Sequence, residues 1–466
     1  MLHLLPPELL DLVFGSLKLG DLASTSAVCR TWQVASFPLL YKEMYICRPE
    51  HLKALRTRIA AKNIPNVLSV AAHVEGLTFD CHRGELVADW DLNPLDDIVP
   101  QLTRLSSFAW KMNFMPFSLP STLYEVSLKS VHLESTSLED PDDEWYKELG
   151  DLLAFEDLTH FHFKVNDLSP GFNKRYIEAF SDLFERCPTL ESIELNLFND
   201  VYKVEPYFAD MLLTQDFYAP RLHTFRLLGD VDIEWPMHIS GAHPLCAFLA
   251  RHTLIEDLAL GHGQEYYDRP TDVINPEDLA QILPSLRHFT GPLLLCEALV
   301  RSSLATQLES LVIFADQDTD KDTLESISKL FYETNLPKLR KIKLVTHGSY
   351  KLESAVVESM VKGSKALEEL EFQQGLDHYP RFLGALAGAD HLQQITLDHH
   401  KILQCAIADS DPGIISNWDD VVMDVVRTCP RLERIVSRNE GAGEIQWRVL
   451  RQESGHPNVV KVNPGS

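Results

Sequence analysis

The sequence predicts an α/β protein in two parts: a small head of three helices, and then a right-handed solenoid of strand–helix units with a parallel sheet on its concave face. Three observations predict this fold. A short apolar pattern recurs along most of the chain at a nearly fixed step, amphipathic helical segments lie between its copies, and dense helix signals fill the first 46 residues. The repeated unit is therefore a short strand followed by a helix.

The composition is that of a globular protein of 466 residues, with 45% apolar and 24% charged residues. Its formal net charge of −26 repels phosphate backbones and anionic lipid surfaces, so we expect neither a nucleic-acid partner nor a membrane partner. Eight scattered cysteines without a C-x-x-C pair indicate free, mostly buried thiols in a reducing compartment. With no signal-peptide pattern and no membrane-spanning run, the sequence favours the cytosol or the nucleus.

The head is predicted over residues 5–46. A first helix begins near Pro7, because proline suits a first turn, and it carries apolar residues at three- and four-residue steps. Asp21 is placed to cap a second helix, and a third begins near Cys29 and stops before Pro38. Three helices of this size cannot bury all of their apolar surface among themselves, so part of that surface needs a partner.

Four separated motifs follow one another in the head, namely Leu5-Pro6-x-Glu8-Leu9, Val13-Phe14-x-x-Leu17, Val28-Cys29-Arg30-x-Trp32 and Leu40-Tyr41. In this order they resemble the F-box, the helical module that docks onto the Skp adaptor of cullin-RING ubiquitin ligases. The family often has Trp where Tyr41 stands. The resemblance implies that the residues at or supporting the adaptor interface are Leu5, Pro6, Leu9, Val13, Phe14, Leu17, Val28, Cys29, Trp32 and Tyr41.

The predicted domains are the head at 1–46, a connecting helical segment at 47–73, the repeats at 74–452 and a flexible tail at 453–466. The connecting segment contains a helix over residues 51–62, whose basic residues we interpret as a solvated face. A second role for the head is to cap the core of the repeats, and this role can coexist with adaptor docking.

The repeats are marked by an apolar residue followed by further apolar residues three and five positions later. Clear copies begin at Leu158, Leu190, Leu222, Ile255, Leu308, Leu339, Leu367 and Leu392, and weaker copies begin at Val74, Leu105, Leu123, Leu286 and Leu432. The steps are 32, 32 and 33 residues in the first clear series and 31, 28 and 25 in the second. The alternation resembles leucine-rich repeats of the long, degenerate kind often attached to F-boxes, although the units are longer and no regular Asn follows the strand.

In each copy, the residues flanking the fourth position are predicted to point to the concave side, where solenoids bind protein partners. The candidate target-binding residues on this side are His160, His162, Glu194, Arg226, Asp257, His288, Lys341, Lys343, Glu369 and Glu371. The two lysines can instead pair with the two glutamates across neighbouring strands. The histidines can be ordinary surface residues rather than metal ligands.

Two acidic segments allow other interpretations. Residues 316–322 space their carboxylates as a calcium loop does, but the segment lacks the required glycine and final glutamate, so a solvated loop is preferred. The insertion at residues 139–151 contains Trp145 and Tyr146, which can anchor a partner or simply lie on a surface loop.

No nucleotide-binding, nucleophile-elbow or zinc-protease motif occurs, so the sequence predicts no cofactor, no metal and no catalytic residue. The resemblance implies a non-catalytic subunit of an Skp-cullin-F-box (SCF) ubiquitin ligase: the head docks onto the adaptor, and the repeats present a target protein to the other subunits. The alternative is a repeat scaffold without a ligase role, whose head only caps the solenoid. A hydrolase hidden in the repeats is a third and weaker hypothesis.

Overall fold

The structure is a computed structural model, and it describes residues 7–60, 68–80, 91–113, 119, 121–135, 145–165, 174–198, 213, 217–229, 243–261, 274–315, 321–346, 351–410, 415–439, 443–451 and 457–462. The chain forms two units, Met1–Glu234 and Trp235–Ser466. Each unit alternates strands with helices, and each is described in turn.

The first unit begins with the head and continues into strand–helix repeats. The head helices are α1 (Pro7–Gly15), α2 (Leu19–Ser26) and α3 (Arg30–Leu40). The helices that follow are α4 (Pro49–Ala60), α5 (Pro94–Ile98), α6 (Thr122–Glu125), α7 (Trp145–Leu152) and α8 (Lys174–Arg186), with 3₁₀ turns at Val70–Ala72 and Val99–Gln101. The strands are β1 (Glu43–Ile46), β2 (Gly76–Asp80), β3 (Ser107–Lys111), β4 (Ser130–Ser135), β5 (His160–Val165), β6 (Ser192–Leu197) and β7 (Thr224–Gly229).

These strands form one parallel sheet in which each strand pairs with the next along the chain, from β1 to β7. Side chains alternate between a buried face and a polar face, as in β5, where Phe161 and Phe163 are buried. Both phenylalanines contact Phe180 of α8, with ring centroids 6.3 and 5.2 Å apart. The helices thus cover the apolar face and leave the other face polar.

The second unit repeats this plan. Its helices are α9 (Pro244–Arg251), α10 (Pro276–Ile282), α11 (Leu293–Arg301), α12 (Lys321–Glu333), α13 (Ser354–Gly363), α14 (Tyr379–Leu386), α15 (His399–Asp409) and α16 (Trp418–Thr428), with a 3₁₀ turn at Ser303–Thr306. Its strands are β8 (Asp257–Leu260), β9 (His288–Pro292), β10 (Ser310–Ala315), β11 (Lys341–Thr346), β12 (Lys351–Leu352), β13 (Glu369–Phe372), β14 (Gly375–Leu376), β15 (Gln394–Asp398), β16 (Arg434–Asn439), β17 (Gly443–Arg451) and β18 (Pro457–Val462).

The main sheet of this unit runs in parallel through β8, β9, β10, β11, β13, β15 and β16. It ends in an antiparallel arrangement of β16, β17 and β18, and β12 pairs with β14 in a separate two-stranded sheet. The predicted α/β fold, with strand–helix units after a helical head, is confirmed.

A shared backbone contact joins successive repeats within each unit. The carbonyl of the residue just before a strand accepts hydrogen bonds from two consecutive N–H groups of the next repeat, as Thr159 does from Glu191 and Ser192 at 2.8 and 3.1 Å. The same arrangement recurs at the carbonyls of Lys42, Glu75, Ser106, Lys129, Glu191, Glu256, Arg287, Glu309, Arg340, Glu368 and Gln393. These paired N–H contacts fix the register from one strand to the next.

Two predictions about the head helices are wrong. Helix α2 begins at Leu19, so Asp21 lies inside its first turn, where a carboxylate favours the positive end of the helix dipole, and does not cap it. Helix α3 continues through Pro38 to Leu40. Proline removes only one N–H so close to the end of a helix, and the last turn keeps the bond from the Tyr41 N–H to the Phe37 carbonyl, at 3.1 Å.

Two predictions about the repeats are also wrong. Leu123 does not begin a strand but is buried in the short helix α6, and β4 instead follows the copy of the pattern that begins at Leu128. The tail predicted to be flexible includes β18 at Pro457–Val462, because pairing with β17 satisfies the backbone groups of this segment. The connecting helix lies at Pro49–Ala60, two residues earlier than predicted.

Candidate functional site: the head and the polar face of the repeats

The head has a small hydrophobic core of its own. Leu10, Phe14 and Leu22 are buried in it, and Leu17 and Trp32 pack against them. The Phe14 and Trp32 rings meet edge to face, with their centroids 5.7 Å apart. Helix α1 contributes Leu10, Phe14 and Leu17 from one stripe, because residues at steps of four and three lie on one side of a helix.

A second apolar stripe of α1 faces outward. Leu9 is 46% exposed, Leu12 is 72% exposed and Val13 is 49% exposed. Leu19 at the start of α2 and Val28 after its end are also exposed, at 59% and 63%. Scattered exposed leucines are normal, but an apolar stripe beside a filled core is typical of surfaces that bind a partner. We call these five residues the head patch.

The structure sorts the predicted adaptor-binding residues into three groups. Leu9, Val13, Val28 and Cys29 are exposed, and so they are accessible to a partner. Phe14 is buried and Leu17, Trp32 and Tyr41 are half-buried, so these can support an interface from beneath. Leu5 and Pro6 lie outside the described residues.

Leu12 and Leu19 are exposed apolar residues that the sequence motifs do not include. For Leu12 a signal exists in the sequence, because it stands three positions after Leu9 on the same helical stripe. Leu19 gives no such signal, since it opens α2 next to Gly20 and belongs to no stripe of the first helix.

The C-terminal end of the head is built into the first repeats. Phe37 is buried, and its ring lies 4.4 Å from that of Tyr41 and 5.8 Å from that of His73. The Arg58 guanidinium of the connecting helix sits 4.6 Å from the Tyr41 ring centroid, within cation–π range. Strand β1 then pairs with β2, so the sheet begins where the head ends. Arg58 therefore has a packing role, in addition to any contact with solvent.

The polar face of the first unit carries a charged cluster that includes three of the predicted target-binding residues. Glu194 lies between His162 and Arg226, with its carboxylate 3.4 Å from the His162 Nδ1 atom and 3.8 Å from an Arg226 Nη atom. On the neighbouring strands, His132 stacks on His162 with ring centroids 3.8 Å apart. Predicted residue His160 stands at the start of β5, opposite Ser192.

Three further residues of this cluster, His132, Glu134 and Lys164, were not predicted from the sequence. His132 was missed because β4 was placed wrongly, although the Leu128 copy of the pattern could have shown it. Glu134 lies one step beyond the residues that flank the fourth position of that copy. Lys164 lies one step beyond the residues that flank the fourth position, and its Nζ atom is 2.6 Å from the Glu134 carboxylate.

Burial and contacts perturb the ionisable groups of this cluster. Burial, with smaller contributions from His162 and Lys111, lowers the pKa of His132 to about 4. Burial alone would raise the pKa of Glu134, but the hydrogen bond and charge of Lys164 outweigh it, so the pKa is lowered. The pKa of Glu194 is also lowered, because His162 and Arg226 outweigh its burial. The two carboxylates are therefore ionised at neutral pH while His132 is uncharged.

The polar face of the second unit shows cross-strand ion pairs at the predicted positions. Lys341 lies 2.9 Å from Glu369, and Lys343 lies 2.9 Å from Glu371, in the register that pairs β11 with β13. Glu371 also binds Arg438, at 2.5 Å. The pairing that the sequence offered as an alternative to target binding is confirmed for both lysines.

The remaining predicted residues of this face lie at matching register positions. Asp257 stands opposite His288, and His288 opposite Ser310, and all three are half-buried. Three other flanking positions are buried instead of facing solvent: Ala259, Thr396 and Val436. The polar face is therefore interrupted by small or apolar side chains in the second unit.

The described residues hold no group of three or more His, Cys, Asp or Glu side chains that could bind a metal ion. Within the same residues, no helix is both long and apolar enough to cross a bilayer. The described cysteines are free thiols, with Cys29 and Cys47 exposed and the others buried. Residues 316–320 of the acidic run and residues 139–144 of the acidic insertion lie outside the described part of the chain. Trp145 and Tyr146 open helix α7.

A protein-family model described as F-box-like matches residues 2–47. No curated protein matches the chain. Among solved structures, the crystal structure of the Rad7 and Elc1 complex in yeast is similar at 14% sequence identity and a TM-score of 0.36, over 86% of this chain and 85% of that chain. By the family-model match, the chain carries an F-box-like domain at residues 2–47.

Proposed function

We propose that the protein is the target-binding subunit of an Skp-cullin-F-box ubiquitin ligase. The head docks onto an Skp-type adaptor, the leucine-rich-repeat-like body binds a target protein, and other subunits transfer ubiquitin. The chain itself carries no catalytic residue in this role. It contributes proximity and orientation, which turn a bimolecular encounter into an intramolecular one.

The head patch is the observation that carries this proposal. The core of the head is already filled by Leu10, Phe14 and Leu22, so the patch has no host among the described residues of the head. Moving an aliphatic side chain fully out of water contributes about 1.5 to 3 kcal/mol. The exposed parts of the patch can therefore supply several kcal/mol to docking, on the order of 4 kcal/mol.

The test is co-expression of the full chain with an Skp-type adaptor, followed by pull-down. The double variant Leu9→Asp with Val13→Asp places two charges on the patch without touching the core, because both side chains are about half exposed. The matched control is Leu294→Asp with Ile407→Asp, which changes two helical residues of similar exposure, 40% and 49%, in the second unit. We expect the head variant to lose at least 90% of the captured adaptor and the control to keep it.

Adaptor docking is refuted if wild-type protein never co-purifies with the adaptor. The assignment of the head patch is refuted if the head variant captures as much adaptor as the control does. Thermal melts of both variants check that they fold, since neither substitution removes a buried side chain.

A second candidate function is a repeat scaffold in which the head serves as a cap. The contacts of Phe37 with His73 and the pairing of β1 with β2 favour a capping contribution. Deletion of residues 1–46 should lower the unfolding midpoint under either function, because it exposes the edge of β2. Only the scaffold predicts that the intact protein is monodisperse without an adaptor and does not bind one.

A further inference from the structure

Four arginines gather at the end of the second unit where β16 meets β17. Arg431 precedes β16, Arg434 opens it, and Arg448 and Arg451 lie in the second half of β17. Arg431, Arg448 and Arg451 line an open groove of about 630 Å³, together with Glu433 and the exposed Leu450. We call this feature the arginine groove.

Two of these arginines face each other. The antiparallel register places Arg434 directly opposite Arg448, so two positive side chains share one face of adjacent strands. Like charges at such positions destabilise a sheet. The Arg434–Arg448 pair therefore disfavours the fold of the free protein. Because the pair borders a groove, an anion bound there would relieve the repulsion between the two guanidinium groups.

None of the four arginines has a carboxylate partner among the described residues. Arg431 contacts the His391 Nδ1 atom at 2.9 Å, and Arg434 contacts the Gln394 amide oxygen at 3.4 Å. Arg451 donates to the Cys429 carbonyl at 3.1 Å. These neutral partners can orient a guanidinium group, but they do not neutralise it.

Several other cations of the same sheet have a carboxylate partner. Lys341, Lys343 and Arg438 are each paired with a glutamate, and Arg287 and Arg340 lie 3.4 and 3.8 Å from Glu309 and Glu368. At the groove, by contrast, Glu433 is the only carboxylate among the described lining residues, which include three arginines, on a chain with a net charge of −26.

The chemistry of the groove points to an anionic ligand with several charges in a row. Guanidinium groups bind carboxylates through two parallel N–H donors. Arg448 and Arg451 are three residues apart in β17, so they lie about 10 Å apart along the strand and start from opposite faces of it, and one small anion cannot reach all of the arginines. A nucleic acid would meet the repulsion of the whole acidic chain, whereas a short peptide meets mainly the local field.

We propose that the arginine groove binds an extended, carboxylate-rich peptide segment of a protein partner. The arginines pair with successive Asp or Glu side chains, and the exposed Leu450, on the same face of β17 as Arg448, offers an apolar contact beside it. This inference extends the proposed function by giving the chemistry of a target segment. It can fail or succeed separately from adaptor docking, because its test involves no adaptor.

The test measures binding of a fluorescein-labelled hexaglutamate peptide to the full chain by fluorescence anisotropy. A hexaglutamine peptide is the uncharged control, and a peptide with one phosphoserine among glutamines presents phosphate instead of carboxylates. We expect hexaglutamate to bind at least tenfold more tightly than either of the other peptides. Equal affinity for hexaglutamate and hexaglutamine overturns the proposal, and preferential binding of the phosphopeptide overturns the assignment of carboxylates.

The matched variants remove two positive charges each. Arg434→Gln with Arg448→Gln alters one lining arginine of the groove and its cross-strand neighbour. Arg287→Gln with Arg340→Gln alters two arginines of the same unit that are paired with glutamates. We expect the groove variant to bind hexaglutamate at least tenfold more weakly and the control to change by less than twofold. Equal losses in both variants, or no loss in the groove variant, overturn the proposal.

A single variant, Arg448→Gln, tests the proposal if the double variant does not fold. Arg448 is exposed, and its guanidinium group has no hydrogen-bond or ion-pair partner among the described residues, so Arg448→Gln removes no such side-chain contact. We expect Arg448→Gln to keep or slightly raise the thermal unfolding midpoint, because it ends the repulsion with Arg434, and to weaken hexaglutamate binding at least threefold. Unchanged binding in this variant contradicts the proposal.

Discussion

Two neighbouring lysine–glutamate pairs in the second unit should stabilise the sheet by different amounts. Lys341–Glu369 and Lys343–Glu371 join the same two strands at the same 2.9 Å distance. They differ in burial, since the side chain of Glu369 is 42% exposed and that of Glu371 is 12% exposed. Glu371 also binds Arg438. Burial should therefore make the inner pair, Lys343–Glu371, stronger than the outer pair, Lys341–Glu369.

The expected magnitudes follow from this difference. An exposed cross-strand ion pair contributes about 0.2 to 1 kcal/mol. Hydrogen bonds to charged groups that are shielded from water contribute about 1.5 to 3 kcal/mol. We therefore expect a coupling free energy below about 1 kcal/mol for Lys341–Glu369 and about 2 kcal/mol for Lys343–Glu371.

Double-mutant cycles can measure both couplings. The substitutions are Lys→Met and Glu→Gln, singly and together, because they remove the charge and keep most of the side-chain volume. Hydrogen exchange of peptides that cover β11 and β13 gives the free energy of local opening in each variant. The outer pair is the matched control for the inner one. Equal couplings, or a larger coupling for the outer pair, would refute the reasoning that burial decides the strength.

Three further predictions concern the first unit and one matched helix position. His132 in the folded protein has its pKa lowered to about 4, so between pH 6.5 and pH 5 the unfolded state binds a proton that the folded state does not bind. The free energy of unfolding should therefore fall by up to about 2 kcal/mol over this range. In urea titrations at both pH values, His132→Gln should reduce this loss, and an unchanged loss would contradict the assignment. Phe14→Ala should cost the head about 3 to 5 kcal/mol, seen as faster hydrogen exchange in α1 and α3, whereas Leu12→Ala should change it by less than about 0.5 kcal/mol. Gly229 has a φ of 95°, and a Cβ atom there would collide with the backbone of the neighbouring strand, so Gly229→Ala should lower the unfolding midpoint, while Gly384→Ala, in a helix with open space around it, should raise it slightly. An unchanged or raised midpoint for Gly229→Ala, or a lowered midpoint for Gly384→Ala, would contradict this backbone argument.

Strand register was predictable from the sequence almost residue by residue. The positions predicted to flank the apolar centre of each strand, such as His162 with Glu194 and Lys343 with Glu371, are opposite one another in the sheet. Alternation between apolar and polar residues leaves only one register that buries the apolar set, since a slip by one residue would expose it. Where two apolar patterns overlapped, as at Leu123 and Leu128, spacing could not choose between them.

The sequence could not predict which apolar residues of α1 are buried in the core of the head and which are exposed. Leu9 and Val13 are four residues apart, and so are Leu10 and Phe14, each of which follows its counterpart by one position. The sequence therefore contains two adjacent apolar stripes that are equally suited to burial. Which stripe is buried depends on where α3 places Trp32, which is a tertiary contact. The arginine groove was not predictable either, because it depends on the antiparallel pairing of β17, which does not follow the repeat pattern.

The paired N–H contacts between repeats also explain why the repeat length can drift. Because a main-chain carbonyl holds each new strand, registration is independent of side-chain identity and of the number of residues in the intervening helix and loop. Insertions and deletions between strands are therefore tolerated by this architecture, which agrees with steps that range from 33 down to 25 residues. Evolution can lengthen or shorten each connection separately while the order of the polar face is preserved.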